Sequence, residues 1–155
     1  MTENRAAQLI HDLELQPHPE GGYFREVYRS PTELGDRSAV TTIYFLLKAG
    51  DISRLHQVDA DEIWHWYEGA SLHLLSLTPE LNRLDTLTLG PPAAGRAPVQ
   101  VIAAHHWQAA ESSGAYTLVG CTVAPGFEFS GFRFMQETEK QATIRSAFPE
   151  AARFL

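Results

Sequence analysis

The chain has 155 residues, 44% of them apolar, and a formal charge of −7; that is enough for one domain with its own core. The only lysines are Lys48 and Lys140, and no basic patch forms, so a nucleic-acid partner is not expected. No apolar run approaches the ~18 residues of a membrane span, the start carries no signal-peptide pattern, and the single Cys121 excludes an internal disulfide, which together point to a cytoplasmic protein.

Residues 2–15 read as an amphipathic helix. Thr2 is placed to cap it, Ala6, Leu9, Ile10 and Leu13 share one stripe, and Pro17 and Pro19 end it. The following Glu20-Gly21-Gly22-Tyr23-Phe24-Arg25-Glu26 has two glycines that let the backbone turn into the first strand. This segment reads either as a dimer arm or as a cover reaching over a pocket.

Strand-like segments then follow in steady series: 22–29, 39–47, 53–58, 62–67, 71–77, 83–89, 99–103, 107–111 and 116–123. They are rich in Val, Ile, Thr, Tyr, Phe and Leu. Turn residues separate them, among them Gly35-Asp36, Gly50-Asp51, Gly69, Pro91-Pro92 and Pro125-Gly126. Many short strands with such punctuation predict an all-β sandwich or barrel. Residues 138–154 return to helical composition, broken by Pro149. No repeat or linker appears, so residues 1–155 are read as one domain.

The most informative stretch is Gly50 to Gly69, GDISRLHQVDADEIWHWYEG. It predicts two short strands joined by a tight turn at Asp59-Ala60-Asp61. Alternation puts His56 and Val58 on one face, and Glu62, Trp64 and Trp66 on one face of the next strand. If that hairpin pairs in register, His56 and Glu62 converge on one cavity. An imidazole facing a carboxylate is a metal half-site or an acid/base pair. The competing readings are a hydrogen-bonded core histidine and an ion-paired core carboxylate. Arg54, and also Arg37, are candidates to hold an anionic group, and Trp64 and Trp66 to wall the pocket. His65 should face away from Glu62. His105 and His106 read as turn residues at the barrel rim, and Cys121 as a buried apolar residue. Tyr44, Tyr67 and Tyr116 are the candidates for a general acid.

The spacing of Gly50, His56, Glu62 and Gly69 resembles the first motif of the cupin superfamily. Val58 stands where that family usually has a second His. The second motif is matched by Ala103-Ala104-His105-His106-Trp107-Gln108, which puts Gln108 at the place of the last metal-binding His. The run from Pro17 to Glu26 with Tyr28-Arg29-Ser30, the segment Asp61-Glu62-Ile63-Trp64-His65, and Pro125-Gly126-Phe127-Glu128-Phe129 with Phe132 are similar to the fifth cupin family, a domain of unknown function.

That resemblance implies a cupin-type β-barrel (double-stranded β-helix, or jelly roll) with an N-terminal helix and short C-terminal helices. It also implies a homodimer and a small-molecule ligand. The divalent-metal set would be His56, Glu62 and Gln108. With only two strong donors it is short of the three a catalytic zinc usually takes, and no cofactor is required. The run Ser53-Arg54-Leu55-His56-Gln57 further resembles deoxysugar epimerases of the superfamily, where the His removes a proton beside a keto group. The expected function is an isomerase or epimerase acting on a carbonyl-bearing, sugar-like compound. In it His56 and Glu62 are catalytic, and Arg54, Trp64, Trp66 and Gln108 bind substrate. A metal-dependent dioxygenase-type cupin and a non-catalytic ligand-binding cupin are the alternatives.

Overall fold

The computed structural model describes residues 2–155, with side chains from residue 4 onward. The cap expected from the Thr2 side chain lies outside the described residues. Helix α1 (Thr2–Asp12) packs Ala6 and Leu9 against Leu46 and Leu118 of the barrel. Arg5 fixes it further by donating to both Glu68 carboxylate oxygens at 2.7 Å, and Tyr116 donates to the same group. The helix ends earlier than the prolines require, because Glu14 already adopts φ 54°.

Two antiparallel sheets form the body. The first runs β1 (Gln16–Pro17), β2 (Tyr23–Arg29), β3 (Thr41–Lys48), β10 (Tyr116–Ala124), β5 (Asp61–Gly69) and β8 (Val99–Ile102). The second runs β11 (Phe132–Phe134), β4 (Ile52–Val58), β9 (Trp107–Ser112), β6 (Leu72–Leu77) and β7 (Leu84–Leu89). Every predicted strand is present. The two additions are very short: β1 and β11 carry two and three residues, too few for alternation to register.

The expected hairpin over 50–69 does not form. Strand β4 pairs with β9 and β11, whereas β5 pairs with β10 and β8. The link Asp59-Ala60 is a corner at which the chain passes from one sheet to the other. Ala60 is buried, the Asp59 amide donates to the Gly131 carbonyl at 3.1 Å, and the Asp59 carboxylate is held by Arg37 at 2.8 and 3.1 Å. A two-sheet jelly roll makes corners of this kind where strands change sheets.

Between the sheets, Phe45, Leu47, Trp64, Leu72, Leu74, Leu89 and Val119 close one end of the interior. On the outside of the second sheet, Leu55, Leu75, Leu77 and Trp107 are covered by Met135, by Ile144 of α2 (Thr138–Ala147) and by Ala151 and Phe154 of a terminal 3-10 turn (Pro149–Phe154). This is the helical tail expected from composition. Among the described residues, no helix is long and apolar enough to cross a membrane.

Candidate functional site

The other end of the interior is open. A cavity of about 590 Å³ is walled by Phe24, Ile43, Val58, Cys121, Val123 and Phe132, and His18, Glu20, His56 and Glu62 also line it. Gln16, Arg25, Glu26, Arg29, Thr41, Phe127, Glu128 and Phe129 complete the lining. A concave, mainly apolar space with a few convergent polar groups is the usual form of a small-ligand site.

His56 and Glu62 do share this hollow, but they reach it from opposite sheets rather than from paired neighbours. They are 2% and 7% exposed. A bulge helps place His56: Ser53 pairs with Ala110 and His56 with Gln108, so three steps on β4 match two on β9. The extra residue makes Ser53 and His56 face inward together and turns Arg54, the expected holder of an anionic group, to solvent. Arg54 instead lies over the Phe134 ring at 4.9 Å. Its carbonyl accepts the Nδ1 hydrogen of His56 at 2.6 Å, which fixes the ring and leaves Nε2 toward the site. Phe132 stacks on the imidazole with ring centroids 5.2 Å apart.

The partner of His56 is Glu20, which strand reasoning does not reach. Glu20 Oε2 is 2.8 Å from His56 Nε2. The contact is off the N–H axis, so this buried oxygen has no aligned hydrogen-bond donor. His18 flanks the pair: its Nδ1 accepts the Glu20 amide hydrogen at 3.0 Å and lies 3.7 Å from Glu20 Oε1. The strap from His18 to Gly22 is anchored across the barrel mouth. The Arg54 amide donates to the Glu20 carbonyl at 3.1 Å, and His18 and Gly22 bond to each other at 2.9 Å. Gly21 has φ +111°, and a Cβ there would sit 2.0 Å from the Ile52 carbonyl oxygen. Within the single chain, the segment takes the place of the cover over the pocket. The sequence signal was the Gly21-Gly22 pair, which marks where backbone approaches backbone.

The charges sort themselves unevenly. Burial disfavours ionisation of Glu20, but the adjacent His56, with lesser help from His18 and Ser53, holds its carboxyl below the ordinary value. Burial likewise opposes charge on His56, yet Glu20, and more weakly Glu62, keep the imidazolium above its usual range. For Glu62 the compensation is smaller. Burial, helped by the negative charge of Glu20, pushes it up to about 7, against the pull of His56 and of the nearby Gln108 and Trp64 side chains. Burial lowers His18, so it stays neutral at ordinary pH. Burial also raises the Cys121 thiol well above its normal value, as befits an inert apolar wall residue.

The other expected site residues lie elsewhere. Trp64 points inward, as alternation required, but it is part of the plug, and its indole N–H donates to Gln108 Oε1 at 3.0 Å. Trp66 packs on the same cluster and donates to the Ala70 carbonyl at 3.3 Å. Gln108 is buried beneath Glu62 and is not part of the cavity wall. The aromatic lining is phenylalanine, not tryptophan. Arg37 is committed to Asp59 and the Gly126 carbonyl. Among the described residues no tyrosine lines the cavity: Tyr116 is bound to Glu68, and Tyr67 lies outside, stacked with His65. His105 sits in a turn with φ 69°.

The chain matches the family described as Cupin superfamily (DUF985) over residues 7–135. It belongs to that family. Protein SO0799 from Shewanella oneidensis is 34% identical, with TM-score 0.83 over 96% of this chain and 92% of that one. A hypothetical protein from Leishmania major is 28% identical, with TM-score 0.81 over 95% and 94%. Oxalate decarboxylase from Bacillus subtilis, at 16% identity and TM-score 0.62, covers 90% of this chain and 36% of its own length, a likeness of fold. No curated protein matches the sequence.

Many cupins hold a metal, so the donor set has to be tested against one. Val58 is a hydrocarbon where an imidazole would be needed, and the Gln108 amide oxygen is already taken by Trp64. Among the described residues, no group of three or more His, Cys, Asp or Glu is arranged to hold a metal ion. The expected set His56, Glu62 and Gln108 therefore does not fit a metal centre.

Proposed function

We propose that this DUF985 cupin is an isomerase-type enzyme that moves a proton beside the carbonyl group of a small compound. The observation that carries the reading is two carboxylates in one cavity with opposite tendencies, Glu20 held ionised by His56 and Glu62 pushed up to about 7. Groups whose proton affinities are separated in this way are the usual acid/base assignments of a site. Glu62, half ionised near neutral pH, is the group that takes the carbon-bound proton. His56, charged and held by Glu20, is the N–H acid that meets the carbonyl oxygen as negative charge develops there. These roles reverse the ones expected from sequence, where His56 was the base.

Inversion of a stereocentre needs a second proton carrier on the opposite face, and among the described residues no tyrosine lines the wall to serve as one. The geometry thus favours return of the proton on the face it left, as in an isomerase, over epimerisation. The test is solvent exchange. In deuterium oxide, incubation with a carbonyl substrate should place deuterium on the carbon beside the carbonyl, and Glu62→Gln should slow this by about a hundredfold or more. Equal exchange by the wild type and the variant would refute the assignment.

A further inference from the structure

Beyond the Glu62 and His56 that a simple enolisation requires, the pocket holds Glu20, flanked by His18. Glu20 presents a buried carboxylate, 6% exposed, whose Oε2 has no aligned hydrogen-bond donor from the protein. Buried carboxylates without donors are costly and rare, and a ligand donor is the natural complement. Glu20 also lies 2.8 Å from the nitrogen of His56 that faces the carbonyl. A proton can therefore pass between the two without leaving the site.

We infer that the substrate is an α-hydroxycarbonyl compound, of the kind represented by aldoses and ketoses, whose hydroxyl donates to Glu20, and that the reaction shifts the carbonyl between adjacent carbons. This rests on the proton-transfer reading above and adds the substrate class. The steps balance without an oxidant or reductant. Glu62 takes the proton from the carbinol carbon, and that electron pair forms a carbon–carbon double bond. The carbonyl pair moves onto its oxygen, which takes the Nε2 proton of His56 and leaves a neutral enediol. Glu20 then takes the proton of the original hydroxyl, whose O–H pair becomes the new carbonyl. The double-bond pair recovers the proton from Glu62 on the neighbouring carbon. The proton on Glu20 returns to His56 across the 2.8 Å contact, and all three groups regain their starting states.

Size and wall chemistry agree with this class. A cavity of about 590 Å³ accommodates a monosaccharide-sized molecule. Phe127 and Phe132 offer apolar surface to its C–H groups, and Arg25 at the mouth, 3.3 Å from Glu14, offers a cation to an anionic end.

The experiment follows carbinol proton exchange and isomer interconversion together, by proton NMR in deuterium oxide. The probes are glyceraldehyde, dihydroxyacetone, and a set of aldopentoses and aldohexoses, with methoxyacetone as the analogue whose hydroxyl is blocked. Exchange and interconversion of a hydroxycarbonyl, with methoxyacetone inert, is the expected result. Glu20→Gln, which also removes the group that holds His56 charged, should slow both carbon exchange and interconversion, with interconversion falling about tenfold or more beyond exchange. Glu62→Gln should lose both. A thermal melt on each variant checks folding, and Glu20→Asp, which keeps the carboxylate, should recover part of the interconversion. Exchange of methoxyacetone as fast as its hydroxy counterparts overturns the substrate class and leaves the proton-transfer reading standing. Equal loss of exchange and interconversion in Glu20→Gln overturns the hydroxyl role of Glu20. Exchange with none of the probes overturns both readings.

Discussion

The strap that carries Glu20 can be tested at one atom. In Gly21→Ala the new Cβ would lie 2.0 Å from the Ile52 carbonyl oxygen, far inside contact distance, and the residue would still have to hold φ +111°. The obstacle is backbone of β4, which is held at Ile52 by its pairing with Glu111 of β9, so the strap must move and not the strand. The dihedral costs about 1–3 kcal/mol for a side-chain-bearing residue, and forcing a methyl group into filled space adds about 1–3 kcal/mol. The expected loss is therefore about 2–6 kcal/mol. Gly50 supplies the control. It has φ +87° but nothing within 4 Å of the point where a methyl group would stand, so Gly50→Ala carries only the dihedral cost.

Urea unfolding of the two variants should show Gly21→Ala to be the less stable by at least about 1 kcal/mol. A second readout separates loss of the strap from general damage. As the strap lifts, Glu20 withdraws from His56, and the His56 imidazole, no longer held in its charged form by Glu20, should titrate at a lower pH in NMR. If Gly21→Ala were no less stable than Gly50→Ala, and His56 titrated unchanged, the placement of Glu20 by close backbone approach would be wrong.

Three further outcomes are expected. Glu62, raised from 4.5 to about 7, binds its proton more tightly in the folded state, so its contribution is complete below about pH 4.5 and is lost as pH rises through about 7. The shift corresponds to roughly 3 kcal/mol, so the stability of Glu62→Gln relative to wild type should improve by about that amount between pH 4.5 and pH 8; a difference independent of pH would refute the assignment. The Glu20–His56 pair behaves differently. Glu20, held low, contributes stability above its unfolded value and loses it as pH falls through its folded value, while His56, held high, loses its share as pH rises through its own. Glu20→Gln should therefore lower the His56 titration midpoint, measured by NMR, and no change would mean that the 2.8 Å contact is not an ion pair. Finally, Arg54→Ala should leave the affinity for hydroxypyruvate unchanged, because Arg54 lies outside the cavity, whereas Arg25→Ala should weaken it by about fivefold, the scale of a half-exposed charged contact; calorimetric titration distinguishes the two.

The strand series was legible because period-two alternation and Gly/Pro punctuation survive whatever the strands pair with. The same property explains the misread hairpin. Alternation states which face of its own strand a residue occupies, not which sheet the strand joins. His56 and Glu62 were therefore placed in one hollow correctly, through a pairing of β4 with β5 that does not exist. Arg54 was misplaced because a bulge between Ser53 and His56 changes the parity, and a bulge in β4 has no glycine or proline to announce it. Glu20 was missed for a third reason. It lies between Pro19 and Gly21, in a segment without period, so nothing in the pattern says where its side chain points.

Depth along the barrel is the remaining quantity that sequence does not encode. Trp64 and Glu62 share a face, yet one belongs to the closed end and the other to the open end. What separates them is volume. The indole of Trp64 and the ring of Phe45, 6.1 Å apart, fill the interior together with the leucines of β6, and no space is left there for a ligand. Toward the other end the inward side chains on the facing strands are smaller, Ile43, Val58, Cys121 and Val123, and the space they leave is the cavity. The same plug sets the chemistry: Trp64 and Gln108 fix the position of Glu62 from behind, and the dry wall around it raises its proton affinity into the neutral range. The tryptophans expected to wall a binding site therefore act on it indirectly. They seal the barrel on the side away from solvent, so that the one face left to Glu62, His56 and Glu20 is the face that opens on the cavity.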